Sequence, residues 1–150
     1  MFELNVLLQG YTRIDFDKKK IRKVMRKMGR DVQREARRLV ARKAISSAGA
    51  YPGKQTGRLQ RSIKSRVSKS GFLVRIAPQK SSEMKDFYPA FLYYGVTGQA
   101  RRKDQKAQTQ TGRWRIAPRA NFMQEALDHR RAVVRAELRD VLRNALVPRK

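Results

Sequence analysis

The sequence contains no cysteine, one histidine and only 12 acidic residues, and each shortage removes a class of chemistry. Without cysteine the chain forms no disulfide, no thiolate zinc site and no thiol nucleophile, which suits a reducing compartment. His129 has no second histidine with which to share a metal, so we interpret it as a helix-surface residue. The few carboxylates include no pair with the apolar surroundings that acid–base catalysis requires. We therefore predict that the protein is not an enzyme and uses neither a cofactor nor a metal.

Long apolar runs are also missing from the chain. No window approaches the roughly 18 consecutive apolar residues that cross a bilayer. Residues 1–8 are too few for a signal peptide, and they include the acidic Glu3. We therefore expect a soluble, unsecreted protein that makes no membrane contact.

Positive charge is what the sequence has in excess, because 37 Lys and Arg residues give a net charge of +25 over 150 residues. Disordered basic tails reach such values by giving up apolar residues, yet 40% of this chain is hydrophobic. The chain should therefore fold, and its length suits a single domain over residues 1–150. An anionic partner is expected, and nucleic acid is the first to consider, because neutralising phosphates releases counterions.

Two segments have the apolar period of long amphipathic helices. The first follows the capping candidates Asp15 and Asp17, and the second follows Asn121. The apolar stripe of the first helix comprises Ile21, Val24, Met25, Met28, Val32, Ala36, Leu39, Val40 and Ala44. The stripe of the second comprises Phe122, Met123, Ala126, Leu127, Val133, Val134, Leu138, Val141, Leu142, Ala145 and Leu146.

Alternating apolar residues predict short strands elsewhere in the chain. A first strand is predicted over residues 2–8, and another over 114–117. Residues 63–68 and 72–77 flank a turn and predict a β-hairpin. The core face of this hairpin should carry Phe72, Val74 and Ile76, with Arg75 pointing outward. We therefore predict an α+β fold, in which a small antiparallel β-sheet packs against two long helices, one N-terminal and one C-terminal.

Two segments lie between the hairpin and the last helix. Residues 88–94 are compact and aromatic, which predicts one or two helical turns that bury Phe91 and Leu92 and end at Gly95. Residues 97–113 contain almost no apolar side chain and predict a long exposed, mobile loop.

Familiar binding modules do not fit the pattern. A helix-turn-helix needs two short helices around a tight turn, whereas about half the chain separates the two long helices. The aromatic residues of 88–94 are too closely spaced for one face of a base-stacking sheet. The stretch 53–57 lacks the order of a phosphate-binding loop and is interpreted as a turn. The first helix has no aromatic anchors on its apolar face, which favours packing on a core over lying on lipid.

Three stretches resemble one known family. They are PGKQTGRLQRSI at 52–63, YPAFLYYG at 88–95 and APRANFM at 117–123, the last followed by a terminal helix. Together they resemble the minor tail components of long-tailed bacteriophages, a family of tail-completion and neck (head–tail joining) proteins. The matching positions are Pro52, Thr56, Gly57, Leu59, Ile63, Tyr88, Gly95, Pro118, Phe122 and Met123. The chain departs from the family pattern at Tyr93-Tyr94-Gly95, since an acidic residue usually precedes the glycine, and at Asn121, where proline is common.

The resemblance implies a structural virion protein and no enzyme activity. Such a subunit would form a homo-oligomeric ring, taken as hexameric, around the DNA channel at the tail or neck. Its partners would be neighbouring neck and tail proteins and packaged DNA, held by nonspecific phosphate contacts. It would be assembled in the bacterial host cytoplasm and located in the virion. Residues 2–9 and 97–113 are the segments expected to extend into neighbouring subunits.

The basic residues expected to face DNA in the lumen fall into two groups. The loop group comprises Arg101, Arg102, Lys103 and Lys106, with Arg113 and Arg115 beside them. The helix group comprises Lys18, Lys19, Lys20, Arg22, Lys23, Arg26 and Lys27. The alternative for each residue is an ordinary solvated position. The alternative for the whole protein is a free, sequence-nonspecific architectural protein that binds nucleic acid, and a nuclease is a third possibility that lacks clustered metal-binding carboxylates.

Overall fold

A computed structural model describes residues 14–43, 46–82, 84, 86–97 and 114–148. Its elements, in chain order, are β1 (Ile14–Phe16), α1 (Lys18–Leu39), α2 (Arg58–Ser62), β2 (Ile63–Val67), β3 (Val74–Pro78), α3 (Tyr88–Tyr94), β4 (Val96–Thr97), β5 (Trp114–Ile116), α4 (Phe122–Asn144) and β6 (Leu146–Pro148). The predicted strand over residues 2–8 lies outside the described residues. Within the described residues, no helix combines the length and the apolar character that a membrane span needs.

The two long helices α1 and α4 begin where the capping residues predict. The Asp17 side chain accepts hydrogen bonds from the backbone N–H groups of Lys19 and Lys20 at 3.0 and 3.1 Å. Asn121 Oδ1 accepts from the N–H of Gln124 at 3.1 Å. These bonds satisfy amides that a helix leaves without an internal partner in its first turn.

Helices α1 and α4 pack antiparallel and form the centre of the molecule. Near one end, the start of α4 meets the last turns of α1 in a cluster of buried residues, Val32, Ala36, Val40, Leu59, Ile63, Phe122 and Ala126. Near the other end, a second cluster comprises Ile21, Met25, Met28, Val141 and Ala145. The long stretches of α1 and α4 thus bury a continuous apolar seam, which confirms both amphipathic helices.

The β-hairpin formed by β2 and β3 packs on a second side of α1. The strands pair antiparallel in a register that places Ser65 opposite Ile76 and Arg66 opposite Arg75. The helix approaches the hairpin closely at Gly29, where a Cβ atom would lie 2.8 Å from Val74 Cγ1 and would also clash with Ser65 Oγ. Glycine therefore sets the distance between α1 and the hairpin.

Two further strand pairs complete the fold. Strand β1 pairs antiparallel with β6, and β4 pairs antiparallel with β5. The α+β class predicted from the sequence is confirmed, and the described residues form three separate two-stranded antiparallel pairs. Thr97, the first residue of the loop predicted over 97–113, is buried in β4, and the other residues of that prediction lie outside the described ones.

Several expected core positions are wrong. Phe72 precedes β3 and is 46% exposed, and it packs edge-to-face on Phe16 with ring centroids 6.1 Å apart. The turn extends to Leu73, so Phe72 never enters the strand alternation. On α3, Phe91 and Leu92 are only half-buried, although the helix ends at Gly95 as predicted. The first long helix ends at Leu39, five residues before Ala44.

The apolar face predicted for α4 is too wide. Leu127 and Val133 are exposed, because α1 covers only one side of the helix. Leu146 is also exposed and lies in β6, beyond the end of the helix. The buried residues of α4 itself are Phe122, Ala126 and Val141.

Candidate anion-binding surface on the first helix and the hairpin

Part of the positive charge of α1 is neutralised by carboxylates of α4, of α1 itself and of its capping residue. Lys27 Nζ lies 2.6 Å from Glu137 Oε1 on α4. Further along α1, Arg34 pairs with Asp31 at 3.2 Å, and Lys20 lies 3.7 Å from the capping Asp17. Lys20 and Lys27, both predicted to face DNA, are therefore directed at carboxylates.

One buried carboxylate on α1 gathers three basic groups from the two helices. Glu35 is 5% exposed and accepts two hydrogen bonds from the Arg38 guanidinium, at 2.6 and 3.1 Å. His129 Nδ1 of α4 lies 2.9 Å from Glu35 Oε1, and Arg130 Nη2 lies 3.6 Å from Glu35 Oε2. Hydrogen bonds from Arg38 and His129 lower the pKa of Glu35 from 4.5 to about 2. The Glu35 side chain is therefore ionised over the whole neutral range and joins α1 to α4.

His129 has a more specific position than a surface residue would need. Its Nδ1 faces Glu35, and its Nε2 lies 3.1 Å from Glu125 Oε1. Carboxylates only accept hydrogen bonds, and a neutral imidazole carries one N–H, so only the protonated ring donates to both. The expectation of surface exposure is confirmed by a side chain 42% exposed, but the bridging contacts were not expected.

The rest of α1 keeps its positive charge. Five basic side chains are exposed and have no ion-pair partner among the residues that the structure describes, and they are Lys18, Lys19, Lys23, Arg26 and Arg30. The carboxylates Glu35 and Glu137 lie between α1 and α4. The uncompensated positive charge of α1 is therefore on a different side of the helix.

A cleft between α1 and the hairpin lies along this positive side. Arg22, Arg26 and Arg30 recur every four residues and line the helix wall, while Ser65 and Val67 of β2 and the turn residues Ser68 and Lys69 line the other. Its volume is about 370 Å³, and none of these lining residues is acidic. We call it the basic cleft.

Packing on the hairpin turn positions Arg22 in the basic cleft. One of its terminal nitrogens donates a hydrogen bond to the carbonyl of Lys69. A Cβ at Gly71 would lie 2.7 Å from Arg22 Cγ, and Gly71 has a φ of +89°, a conformation that favours glycine. The turn therefore supports the guanidinium without neutralising it, since a carbonyl carries no net charge.

The basic cleft is suited to phosphate groups. Successive arginines four residues apart on a helix are about 6 Å apart along its axis, so three of them present a row of guanidinium groups. Guanidinium binds phosphate through charge-assisted hydrogen bonds and needs no base contact to do so. The lining residues include no aromatic side chain on which a base could stack. The expected binding is therefore independent of nucleotide sequence.

The structure brings together only part of the predicted DNA-facing set. Arg22 and Arg26 lie in the basic cleft, and Lys18, Lys19 and Lys23 are exposed on the same helix. Arg115 is exposed on β5 and does not line the cleft. Arg101, Arg102, Lys103, Lys106 and Arg113 lie outside the described residues. Sequence reasoning missed Arg30 and Lys69, although the four-residue spacing from Arg22 to Arg30 was a usable signal.

The positions that carry the family resemblance converge in space. Pro52, Thr56, Gly57, Leu59 and Tyr88 line a second cleft of about 370 Å³, which also includes Leu92 and Arg119. We call it the motif cleft. Burial raises the pKa of the Tyr88 hydroxyl, while Arg58, a hydrogen bond with the Leu59 backbone and Arg61 act in the opposite direction.

The remaining matched positions pack around the motif cleft. Ile63 and Phe122 are buried in one cluster, and Met123 packs against it. A Cβ at Gly95 would lie 2.5 Å from Trp114 and 3.0 Å from Pro118 Cδ, so the chain passes too closely there for any other residue. The burial and close packing of these residues stabilise the region where α2, α3 and the start of α4 meet.

Within the described residues, no group of three or more His, Cys, Asp or Glu side chains is arranged to hold a metal ion. Comparisons of the chain with protein-family models, with curated proteins and with solved structures found no match.

Proposed function

We propose that the protein is a structural virion component of a long-tailed phage. It acts as a tail-completion or head–tail joining subunit, and copies of it form a ring, taken as hexameric, around the DNA channel. The observation that carries the proposal is the one-sided charge of α1. Carboxylates neutralise the side that packs on α4, while Lys18, Lys19, Lys23 and the basic cleft stay positive.

The arrangement of the motif residues supports the same proposal. Three stretches that are far apart in the sequence carry the family resemblance, and they pack together around one cleft in the fold. The basic cleft adds an attraction for phosphate that ignores sequence, which suits a channel through which any DNA passes.

A second candidate is a free nucleic-acid-binding architectural protein, and the same basic cleft favours it. The two functions differ in what the isolated subunit does. A free binding protein should hold duplex DNA tightly as a monomer at ~0.2 M salt, because it must compete with condensed counterions alone. A ring subunit should bind weakly as a monomer and strongly only after assembly, because many weak contacts then act together.

Loss of the protein should disrupt the joint between head and tail. We expect phage particles made without it to separate into full heads and free tails, or to have unstable joints, in negative-stain electron micrographs. Complementation with the wild-type protein should restore joined particles. Normal, infectious virions made without the protein would contradict the proposal.

Removing two arginines of the basic cleft and the neighbouring exposed Lys23 should weaken DNA binding and reduce its salt dependence. In the triple variant Lys23→Ala, Arg26→Ala, Arg30→Ala, the plot of log affinity against log salt should become shallower by about three, because each lost phosphate contact removes roughly 0.9 from the slope. Fluorescence anisotropy with labelled duplex DNA measures this slope. The fold should be retained, since all three side chains are exposed.

A matched control comes from the last helix. Arg135, Arg139 and Arg143 lie four residues apart on α4 and are also exposed. Replacing these three with alanine removes the same charge, and the slope should change by less than about one unit. Equal changes in the two triple variants would mean that DNA senses only net charge, and the assignment of the basic cleft would be wrong.

A further inference from the structure

The motif cleft combines an apolar floor with a polar rim. Two of its lining side chains, those of Tyr88 and Leu92, are only half-buried and present the apolar surface that we call the floor, while Val40, Leu59 and Pro52 are already buried. Gln55 and Thr56 are exposed at its mouth. A ligand that enters the cleft therefore meets apolar surface below and hydrogen-bonding groups above, a combination typical of sites that hold a side chain in a fixed orientation.

The charge around the motif cleft has one sign. Its lining residues include Lys54, Arg58 and Arg119, and none of them is acidic. Lys54 makes no ion pair among the described residues. Lysine and arginine side chains form charge-assisted hydrogen bonds with carboxylates, so the cleft favours a ligand that brings acceptor oxygens.

Charge complementarity decides between the possible occupants. A second copy of this chain has a net charge of +25 and would add positive charge to positive charge. Nucleic acid would supply anions, but its sugar–phosphate backbone has no apolar side chain to cover Tyr88 and Leu92. An acidic protein segment that also carries apolar side chains supplies both features.

We infer that the motif cleft is a docking site for an acidic, apolar-containing segment of a different protein. The carboxylates of the segment pair with Lys54 and Arg119, and one apolar side chain of the segment covers the floor. This inference stands on the cleft alone and does not depend on the virion role. Because the basic cleft is lined by different residues, the two sites can be tested separately.

The test uses the full chain and a short fluorescein-labelled peptide in which glutamate alternates with leucine. At ~0.15 M salt, where exposed charges are screened beyond roughly 8 Å, the peptide should bind the wild-type protein. The double variant Lys54→Ala, Arg119→Ala should bind it about tenfold more weakly, since two charged contacts are lost. A peptide with serine in place of leucine should bind the wild-type protein about tenfold more weakly as well, because the floor stays exposed.

The control variant Arg26→Ala, Arg30→Ala removes the same charge from the basic cleft and should change peptide affinity by less than about threefold. Equal losses in the two double variants, or equal affinity for the two peptides, would overturn the inference. So would no binding of the leucine peptide to the wild-type protein. A single-stranded oligonucleotide that loses affinity about tenfold on Lys54→Ala, Arg119→Ala would assign the cleft to nucleic acid instead.

A second measurement covers the case in which the double variant fails to fold. Titrating the leucine peptide into the isotope-labelled wild-type protein should shift amide resonances of residues 53–60, together with those of Leu92 and Arg119. Shifts concentrated on α1 at Arg22 to Arg30 would overturn the inference, because they would place the peptide in the basic cleft.

Discussion

Replacing Gly29 with valine is expected to cost about 3 kcal/mol of folding free energy, a large part of the stability of an ordinary domain. The backbone of α1 reaches the hairpin at this residue, and a Cβ there would lie 2.8 Å from Val74 Cγ1 and would clash with Ser65 Oγ. Two branched methyl groups would force the helix and the hairpin apart. Urea denaturation followed by circular dichroism measures the loss.

The variant Gly29→Ala separates the effect of helix propensity from that of the steric clash with the hairpin. It improves helix propensity by about 1 kcal/mol but still introduces the Cβ clash, so we expect a net loss of about 1 kcal/mol. Ala132→Val on the exposed side of α4 controls for a β-branched residue in a helix and should cost less than about 1 kcal/mol. If Gly29→Val lowered the free energy of unfolding no more than Ala132→Val does, the close packing of α1 on the hairpin would be refuted.

Glu35→Gln is expected to destabilise the protein by about 2 kcal/mol at pH 7. The substitution removes the buried charge that pairs with Arg38, His129 and Arg130. The pKa shift of Glu35 from 4.5 to about 2 would correspond to about 3 kcal/mol at roughly 1.4 kcal/mol per pH unit, and solvent screening of the exposed Arg38 reduces that value.

The contribution of Glu35 to stability should decrease as the pH falls. Its pKa is lower in the folded protein than in the unfolded chain, so its contribution is complete above pH 4.5 and is lost as pH falls toward 2. The difference in unfolding free energy between wild-type and Glu35→Gln protein should therefore shrink between pH 5 and pH 2. Urea titrations at a series of pH values measure it. A difference that stayed constant over this range would contradict the assignment.

Glu125→Gln provides the matched control on the other side of His129. Glu125 has a side chain 44% exposed, and its contact with His129 Nε2 lies at the surface. An exposed pair of this kind contributes up to about 1 kcal/mol to the free energy of unfolding. Glu125→Gln should therefore lower stability much less than Glu35→Gln does. Similar losses in the two variants would mean that burial does not distinguish the two carboxylates.

Local signals in the sequence predicted most of the described elements. Asp17 and Asn121 mark the starts of both long helices because the capping interaction involves only the next three residues. The hairpin follows from alternation and a glycine turn, which are equally local. Phe72 and Val133 were misjudged because hydrophobicity does not reveal how much surface a neighbouring element covers.

The site was less predictable because it depends on contacts between distant parts of the chain. Composition predicted an anionic partner, and the arginine spacing on α1 was visible. The sequence did not show which basic residues are neutralised, because their partners are far away along the chain. Lys27 and Glu137 are 110 residues apart in the sequence, and Glu35 and His129 are 94 apart. The convergence of Pro52, Tyr88 and Arg119 on one cleft likewise requires the tertiary fold.

The placement of Glu137 and Glu35 between α1 and α4 has a consequence for how copies of the protein would meet. Both carboxylates pair with basic residues of their own chain across the two helices, so they are not free to attract another copy. Two approaching copies would therefore present mainly cations to each other, and repulsion would oppose their association in dilute solution. A polyanion between them would reverse the sign of that force, so in the proposed ring the enclosed DNA would also hold the subunits together.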